Sequence, residues 1–134
     1  MTQFDSICII DDDPITVFGV RKMLSLVISC ENITSYSNGK QAIEGIKSHL
    51  GEGGQLPDVI FLDINMPIMD GWQFLEEFIT IASPKKVRIN IITSSIDCRD
   101  KEKWEHYQML TDHHIAYNQK PLFKEEIAKI TKKA

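Results

Sequence analysis

Apolar residues along this chain fall into two alternating patterns. Ile7-Cys8-Ile9-Ile10 and Val59-Ile60-Phe61-Leu62 are short unbroken runs, mostly aliphatic and rich in β-branched residues. Such runs predict strands covered on both faces, as in parallel sheets. Between them, Val17, Val20, Leu24 and Val27 recur at three- and four-residue spacing and predict a helix. Asp13 before Pro14 marks its start, a capping carboxylate followed by proline at the first helical position. Asn32 to Tyr36 reads as a second strand, broken by Ser37-Asn38-Gly39. Ala42, Ile43, Ile46 and Leu50 then predict a second helix, which Gly51-Glu52-Gly53-Gly54 brings to a stop.

The second half repeats the alternation. Asn65 to Gly71 is a loop, and Phe74, Leu75, Phe78 and Ile79 form a third helical face closed by Pro84. Val87 to Ile92 predicts a fourth strand ending at Thr93-Ser94-Ser95, and Ile115 to Asn118 a fifth. The stretch from Asp97 to Asp112 is charged and only loosely periodic, and it is predicted as helix. Leu122 to Lys132 predicts a last helix with Ile127 and Ile130 inward. Five strands alternating with five helices imply an α/β protein with a doubly wound parallel sheet. At 134 residues the chain is expected to be one domain spanning 1–134. In such sheets ligands bind beyond the carboxyl ends of the strands.

Composition narrows the reading. Hydrophobic residues make up 43% and charged residues 25%, which excludes a disordered tail, a fibre or a disulfide scaffold. Fifteen basic residues against 19 acidic ones give a net charge of −4, without the overall positive field that non-specific nucleic-acid binding needs, though a local basic patch stays open; no direct nucleic-acid partner is expected. Cys8, Cys30 and Cys98 form no metal-binding spacing, and all three are expected as reduced, buried thiols. No apolar run approaches the ~18 residues of a membrane span, and no basic segment precedes Ile7–Ile10. The expected location is cytoplasmic, with no membrane insertion.

The strand ends carry the chemistry. The first strand ends in Asp11-Asp12-Asp13, the third in Asp63, the fourth in Thr93 and the fifth in Lys120. With the first and third strands adjacent, Asp11 and Asp12 would stand beside Asp63. Clustered carboxylates are unfavourable unless a cation neutralises them. Asp11 to Asp13 on their own read equally well as helix caps and turn residues. Asp63 tips the balance, because a buried strand needs no terminal carboxylate. Oxygen ligands with room for water suit Mg²⁺. Lys120 alone would be an ordinary surface lysine and Thr93 an ordinary strand residue. A hydroxyl and an ammonium gathered around a divalent ion, however, suggest a phosphoryl group, with a carboxylate as its nucleophile.

Ile9-Ile10-Asp11-Asp12-Asp13-Pro14, Leu62-Asp63-Ile64-Asn65-Met66-Pro67-Ile68-Met69-Asp70-Gly71, Ile92-Thr93-Ser94-Ser95 and Lys120-Pro121 together resemble the receiver domain of two-component response regulators, from about Ser6 to Ile130. The resemblance implies a flavodoxin-like (βα)5 fold with strand order 2-1-3-4-5. It implies Asp63 as the phosphoacceptor, Asp11 and Asp12 as Mg²⁺ ligands, and the Asn65 backbone carbonyl as a further ligand. Thr93 would be the switch hydroxyl, Lys120 the cation pairing with the phosphoryl group, and Tyr117 the aromatic switch that turns inward. Pro121 would follow a cis peptide. Thr93 lies 30 residues after Asp63, as the family has it, but Lys120 follows Thr93 by 27, a few more than usual. The extra length falls near the fourth helix, so an output partner there does not carry over.

No effector domain is expected after the last helix. The implied role is a phosphorylation-controlled protein contact or a phosphorelay step, with a histidine kinase or a histidine phosphotransfer protein as donor and a downstream protein as receiver of the signal. No enzymatic activity is expected beyond self-catalysed transfer to Asp63 and slow autodephosphorylation. Two other readings stand beside it. A Mg²⁺-dependent aspartyl-phosphate phosphohydrolase would want an acid two residues after its nucleophile, where Asn65 stands. A non-signalling scaffold would have no need of the complete set. His113-His114 reads as a polar pair before the fifth strand, His49 and His106 as solvated, Phe74 and Phe78 as core. Trp72 is expected to pack at the start of the third helix, and the place of Trp104 is left open.

Overall fold

The computed structural model describes residues 2–120 and residue 127. β1 (Thr2–Ile10) leads to α1 (Pro14–Val27), β2 (Ile28–Tyr36), α2 (Gly39–Gly51) and β3 (Val59–Leu62). α3 (Gly71–Phe78), β4 (Arg88–Thr93), α4 (Cys98–Leu110) and β5 (His114–Gln119) follow. All strand pairs are parallel, in the order β2-β1-β3-β4-β5, so this is the flavodoxin-like α/β sheet that the sequence implies. The chain order reverses direction at β1 and β3, which puts the crevice for a ligand at their carboxyl ends.

The two-residue period of the central strands divides the core between two layers. Cys8, Ile10, Ile60, Leu62, Ile89, Ile91 and Ile115 pack with α2 and α3 on one face. Ile7, Ile9, Val59 and Phe61 pack with Val20 and Leu24 of α1 and with Ile127 on the other. All four residues of β3 are fully buried, as its unbroken apolar run requires. Side-chain caps set the starts of all four described helices: Asp13 accepts from the Ile15 amide, Asn38 from Gln41, Asp70 from Gln73 within a reciprocal capping box, and Asp97 from Arg99. No helix among the described residues is long and apolar enough to cross a membrane.

Several expectations need adjustment. β1 begins five residues and β2 four residues earlier than predicted, because Thr2–Phe4 and Ile28–Cys30 pair with one another beyond the apolar centre of the sheet. The cysteines are not uniformly buried: Cys8 is buried, Cys30 half-buried and Cys98 exposed at the first position of α4. α4 buries no side chain completely, the reason its sequence shows only loose periodicity. The helix predicted over 122–132 and the Lys120–Pro121 peptide lie outside the described residues, apart from Ile127, which is buried.

Candidate functional site

The site forms where β1, β3, β4 and β5 end together. The β1 and β3 ladder continues one residue past Ile10 and Leu62, with the Asp63 amide donating to the Ile10 carbonyl at 2.9 Å. On the other side of β1 the Asp11 amide donates to Tyr36 at 3.0 Å. These bonds hold the two aspartates side by side. Ligand oxygens of Asp11, Asp12 and Asp63 lie within 4.8 Å of one another. Oxygens opposed across a single Mg²⁺ would be about 4.2 Å apart, so one ion needs only a small closure of the cluster.

Asp11 has no exposed side-chain surface, whereas Asp12 stands open to solvent. Asp11 Oδ1 accepts the Asp13 amide at 2.9 Å, which turns the chain into α1. Its Oδ2 is buried and accepts no aligned hydrogen bond, although the Lys120 ammonium lies 3.0 Å away as an ion pair. Lys120 Nζ is also 3.6 Å from Asp63 Oδ1. One ammonium thus reaches two of the cluster's three carboxylates. A buried oxygen whose one charged partner is an ammonium shared with Asp63, in an all-oxygen set with excess negative charge, fits a hard divalent cation.

The charges show in the proton affinities. Burial, then the Asp11 carboxylate, pushes Asp63 up from 3.8 to about 6, against the pull of Lys120 and of the Ile64 amide that donates to Oδ1. Burial alone would lower the Lys120 value. The Asp11 and Asp63 carboxylates outweigh it and hold the ammonium above its ordinary range.

Thr93 ends β4 with its side chain wholly buried. Its Oγ1 accepts the Ser95 amide at 3.0 Å, and its carbonyl accepts the Lys120 amide at 2.8 Å, placing Lys120 one step beyond the β4–β5 ladder. Tyr117 pairs with Ile91, two residues before Thr93, so Tyr117, Ile91 and Thr93 share one face of the sheet. The Tyr117 ring is half-buried and lies against Trp104 at 5.9 Å. Asn65 is exposed in the β3–α3 loop, two residues beyond Asp63. That loop is tightly tied: the Gly71 amide donates to Ile64, and a Cβ at Gly71 would stand 2.5 Å from the Asp63 carbonyl, so only glycine allows the approach. Ile68, at its tip, is held at φ +70, a region costly for a β-branched residue.

The structure therefore brings Asp11, Asp12, Asp63, Thr93 and Lys120 to one end of the sheet, with Asn65 and Tyr117 beside them. Other candidates fall elsewhere. His113 is buried and its Nδ1 accepts the Val87 amide at 2.9 Å, a structural tie near the opposite end of β4. His49 and His106 are exposed, and Trp72 is buried at the start of α3, as expected. The sequence reading passed over Ser95, whose amide occupies the Thr93 hydroxyl. The repeated hydroxyls of Thr93-Ser94-Ser95 after a strand were the available signal.

A parallel sheet of this order with acidic residues at its crevice defines a class, and residues 7–131 match the response regulator receiver domain family. The chain belongs to that family. It is 29% identical to an uncharacterized response regulatory protein of Vibrio cholerae over 99% of this chain and 46% of that protein. It is 38% identical to the nitrate/nitrite response regulator protein NarL of Escherichia coli over 54% of this chain and 31% of that one. The chain thus spans less than half the length of these curated relatives. Among solved structures, a two-component response regulator from Cytophaga hutchinsonii superimposes with a TM-score of 0.78 at 30% identity, covering 96% of this chain and 94% of that one. The receiver domain of the putative response regulator NarL from Mycobacterium tuberculosis gives 0.72 at 26% identity, with 96% and 93% coverage. Receiver domains bind Mg²⁺ at an acidic pocket, and Asp11, Asp12 and Asp63 make such a pocket here.

Proposed function

We propose that this chain is a phosphorylation-controlled switch in which Asp63 accepts a phosphoryl group from the phosphohistidine of a histidine kinase or phosphotransfer protein. The observation that carries the reading is the buried Asp11–Asp63 pair with a single ammonium, Lys120, reaching both. Asp11, Asp12, Asp63 and the Asn65 carbonyl would hold Mg²⁺. When bound, the ion neutralises the carboxylates and the incoming phosphoryl oxygens.

The chain's own residues do the rest. An Asp63 oxygen attacks phosphorus, the P–N bond breaks, and its electron pair stays on the donor imidazole. Lys120 pairs with a phosphoryl oxygen, and the Thr93 hydroxyl turns to donate to another. That turn releases the Ser95 amide and vacates space on the face Thr93 shares with Tyr117. Tyr117 moves inward and the surface around β5 changes. Phosphate binds the two packings unequally, so it shifts their populations. The product is a modified Asp63, with slow hydrolysis back to the carboxylate, rather than turnover of an external substrate. The signal passes to a downstream protein or the phosphate passes along a relay.

The experiment is intact-mass measurement after incubation with acetyl phosphate. One phosphate is expected on the wild-type protein with Mg²⁺, and none without Mg²⁺ or in Asp63→Asn. Stable labelling of Asp63→Asn would reject the assignment.

A further inference from the structure

α4 raises a question of attachment. A helix of 13 residues with no completely buried side chain has little apolar burial to hold it down. Its ties to the rest of the molecule are polar and aromatic. On the α3 side, Tyr107 stacks on Trp72 at 5.8 Å, and the Trp72 indole N–H donates to Asp100 at 3.1 Å. On the β5 side, the Trp104 indole N–H donates to the Ile115 carbonyl at 2.7 Å, and Gln108 Nε2 donates to the same oxygen at 3.3 Å. The Trp104 ring then lies 5.9 Å from that of Tyr117, inclined by 38°.

The asymmetry of these contacts matters. The Trp104 indole is anchored to backbone, two residues before Tyr117, and not to a side chain that moves. On the phosphoacceptor reading, an inward turn of Tyr117 would leave this backbone anchor in place and carry the ring away from Trp104. A contact present in only one of two states biases their equilibrium by its own strength. The contact is of the tilted aromatic kind that adds stability beyond plain area burial.

We propose that Trp104 is a positioning residue that holds Tyr117 in its outward place and so sets the fraction of unphosphorylated chain already switched. The inference rests on the phosphoacceptor reading above and deepens it. It makes the resting activity of the switch a property of α4.

The test is isothermal titration of Mg²⁺-loaded protein with beryllofluoride, together with NMR contacts between the Tyr117 ring and the Thr93 methyl in metal-free protein. In Trp104→Leu the beryllofluoride affinity should rise about two- to tenfold, with Mg²⁺ affinity unchanged. The Tyr117–Thr93 cross-peaks should strengthen without any ligand. In a Tyr117→Leu background the same substitution should give no gain. Trp104→Met, unbranched and better able to fill the gap, carries the same expectations should the leucine variant fold poorly. Unchanged or weaker affinity, or a gain that survives in the Tyr117→Leu background, overturns the inference while leaving the phosphoacceptor reading standing. A wild-type protein that binds no beryllofluoride overturns both.

Discussion

β3 is four residues long and carries an aspartate at each end, and the two are in opposite situations. Asp58, before the strand, accepts the Asp5 and Ser6 amides at 2.6 and 3.3 Å and pairs with Lys85 at 2.7 Å. Burial alone would raise its proton affinity, but these partners hold its carboxyl below the ordinary value. Asp63, after the strand, accepts one amide and shares a more distant ammonium with Asp11. Burial and the neighbouring carboxylate push it up to about 6. Residue type and host strand are the same. The difference lies in the donors that the fold supplies. At the amino end the charge is matched and serves the structure. At the carboxyl end the negative charge exceeds what the chain neutralises, which is the condition a divalent cation would relieve.

The largest effect should come from breaking the matched end. Asp58→Ala leaves two amides and a half-buried ammonium without their acceptor, and should cost about 2–3 kcal/mol. Urea unfolding measures this, and Mg²⁺ affinity and phosphate uptake of the folded variant should remain as in the parent. The unmatched end should behave in the reverse sense. Asp12→Ala should weaken Mg²⁺ binding about tenfold or more and raise the melting temperature of the metal-free protein, because a like charge is removed. Mg²⁺ titration and thermal melts with and without the ion separate the two effects.

A smaller change sharpens the comparison at the loop leaving Asp63. Ile68 is exposed and held at φ +70. Glycine adopts that conformation freely, so Ile68→Gly should stabilise the fold by about 1 kcal/mol, net of the extra unfolded-state freedom. Comparison of denaturation midpoints decides it. The smallest effect is the pH response of Asp58. Its folded value lies below 3.8, so the unfolded chain binds more protons in that range. The stability it contributes is full above 3.8 and is lost as pH falls through the folded value. Unfolding midpoints at pH 5 and pH 3 should converge between wild type and Asp58→Asn at the lower pH.

How far the sequence could be read follows from the same physics. β3 was legible to the residue because burial on both faces demands an uninterrupted apolar run, and Val59–Leu62 supplies one. Asp13-Pro14 fixed the start of α1 because capping chemistry is local. The outer parts of β1 and β2 were hidden: they pair chiefly with each other, and α1 passes into β2 at Val27–Ile28 with no glycine or proline between. α4 had no period to show because it is held by Trp104, Gln108, Asp100 and Tyr107 rather than by an apolar stripe. In the site, Asp11, Asp12, Asp63, Thr93 and Lys120 stood out because each ends or follows a strand. Asp58 did not, since a carboxylate after Pro57 reads as a turn residue until its partners, more than 25 positions away in sequence, are placed.

The contrast between the two ends of β3 is tested most directly by locating the phosphate. The protein is incubated with acetyl phosphate and Mg²⁺, any acyl phosphate is reduced with borohydride, and the converted aspartate is mapped by peptide mass spectrometry. The account expects conversion at Asp63, dependent on Mg²⁺, with Asp11, Asp12 and Asp58 untouched. Conversion at Asp11, Asp12 or Asp58 with Asp63 intact, or conversion at Asp63 that is equal without Mg²⁺, would contradict it.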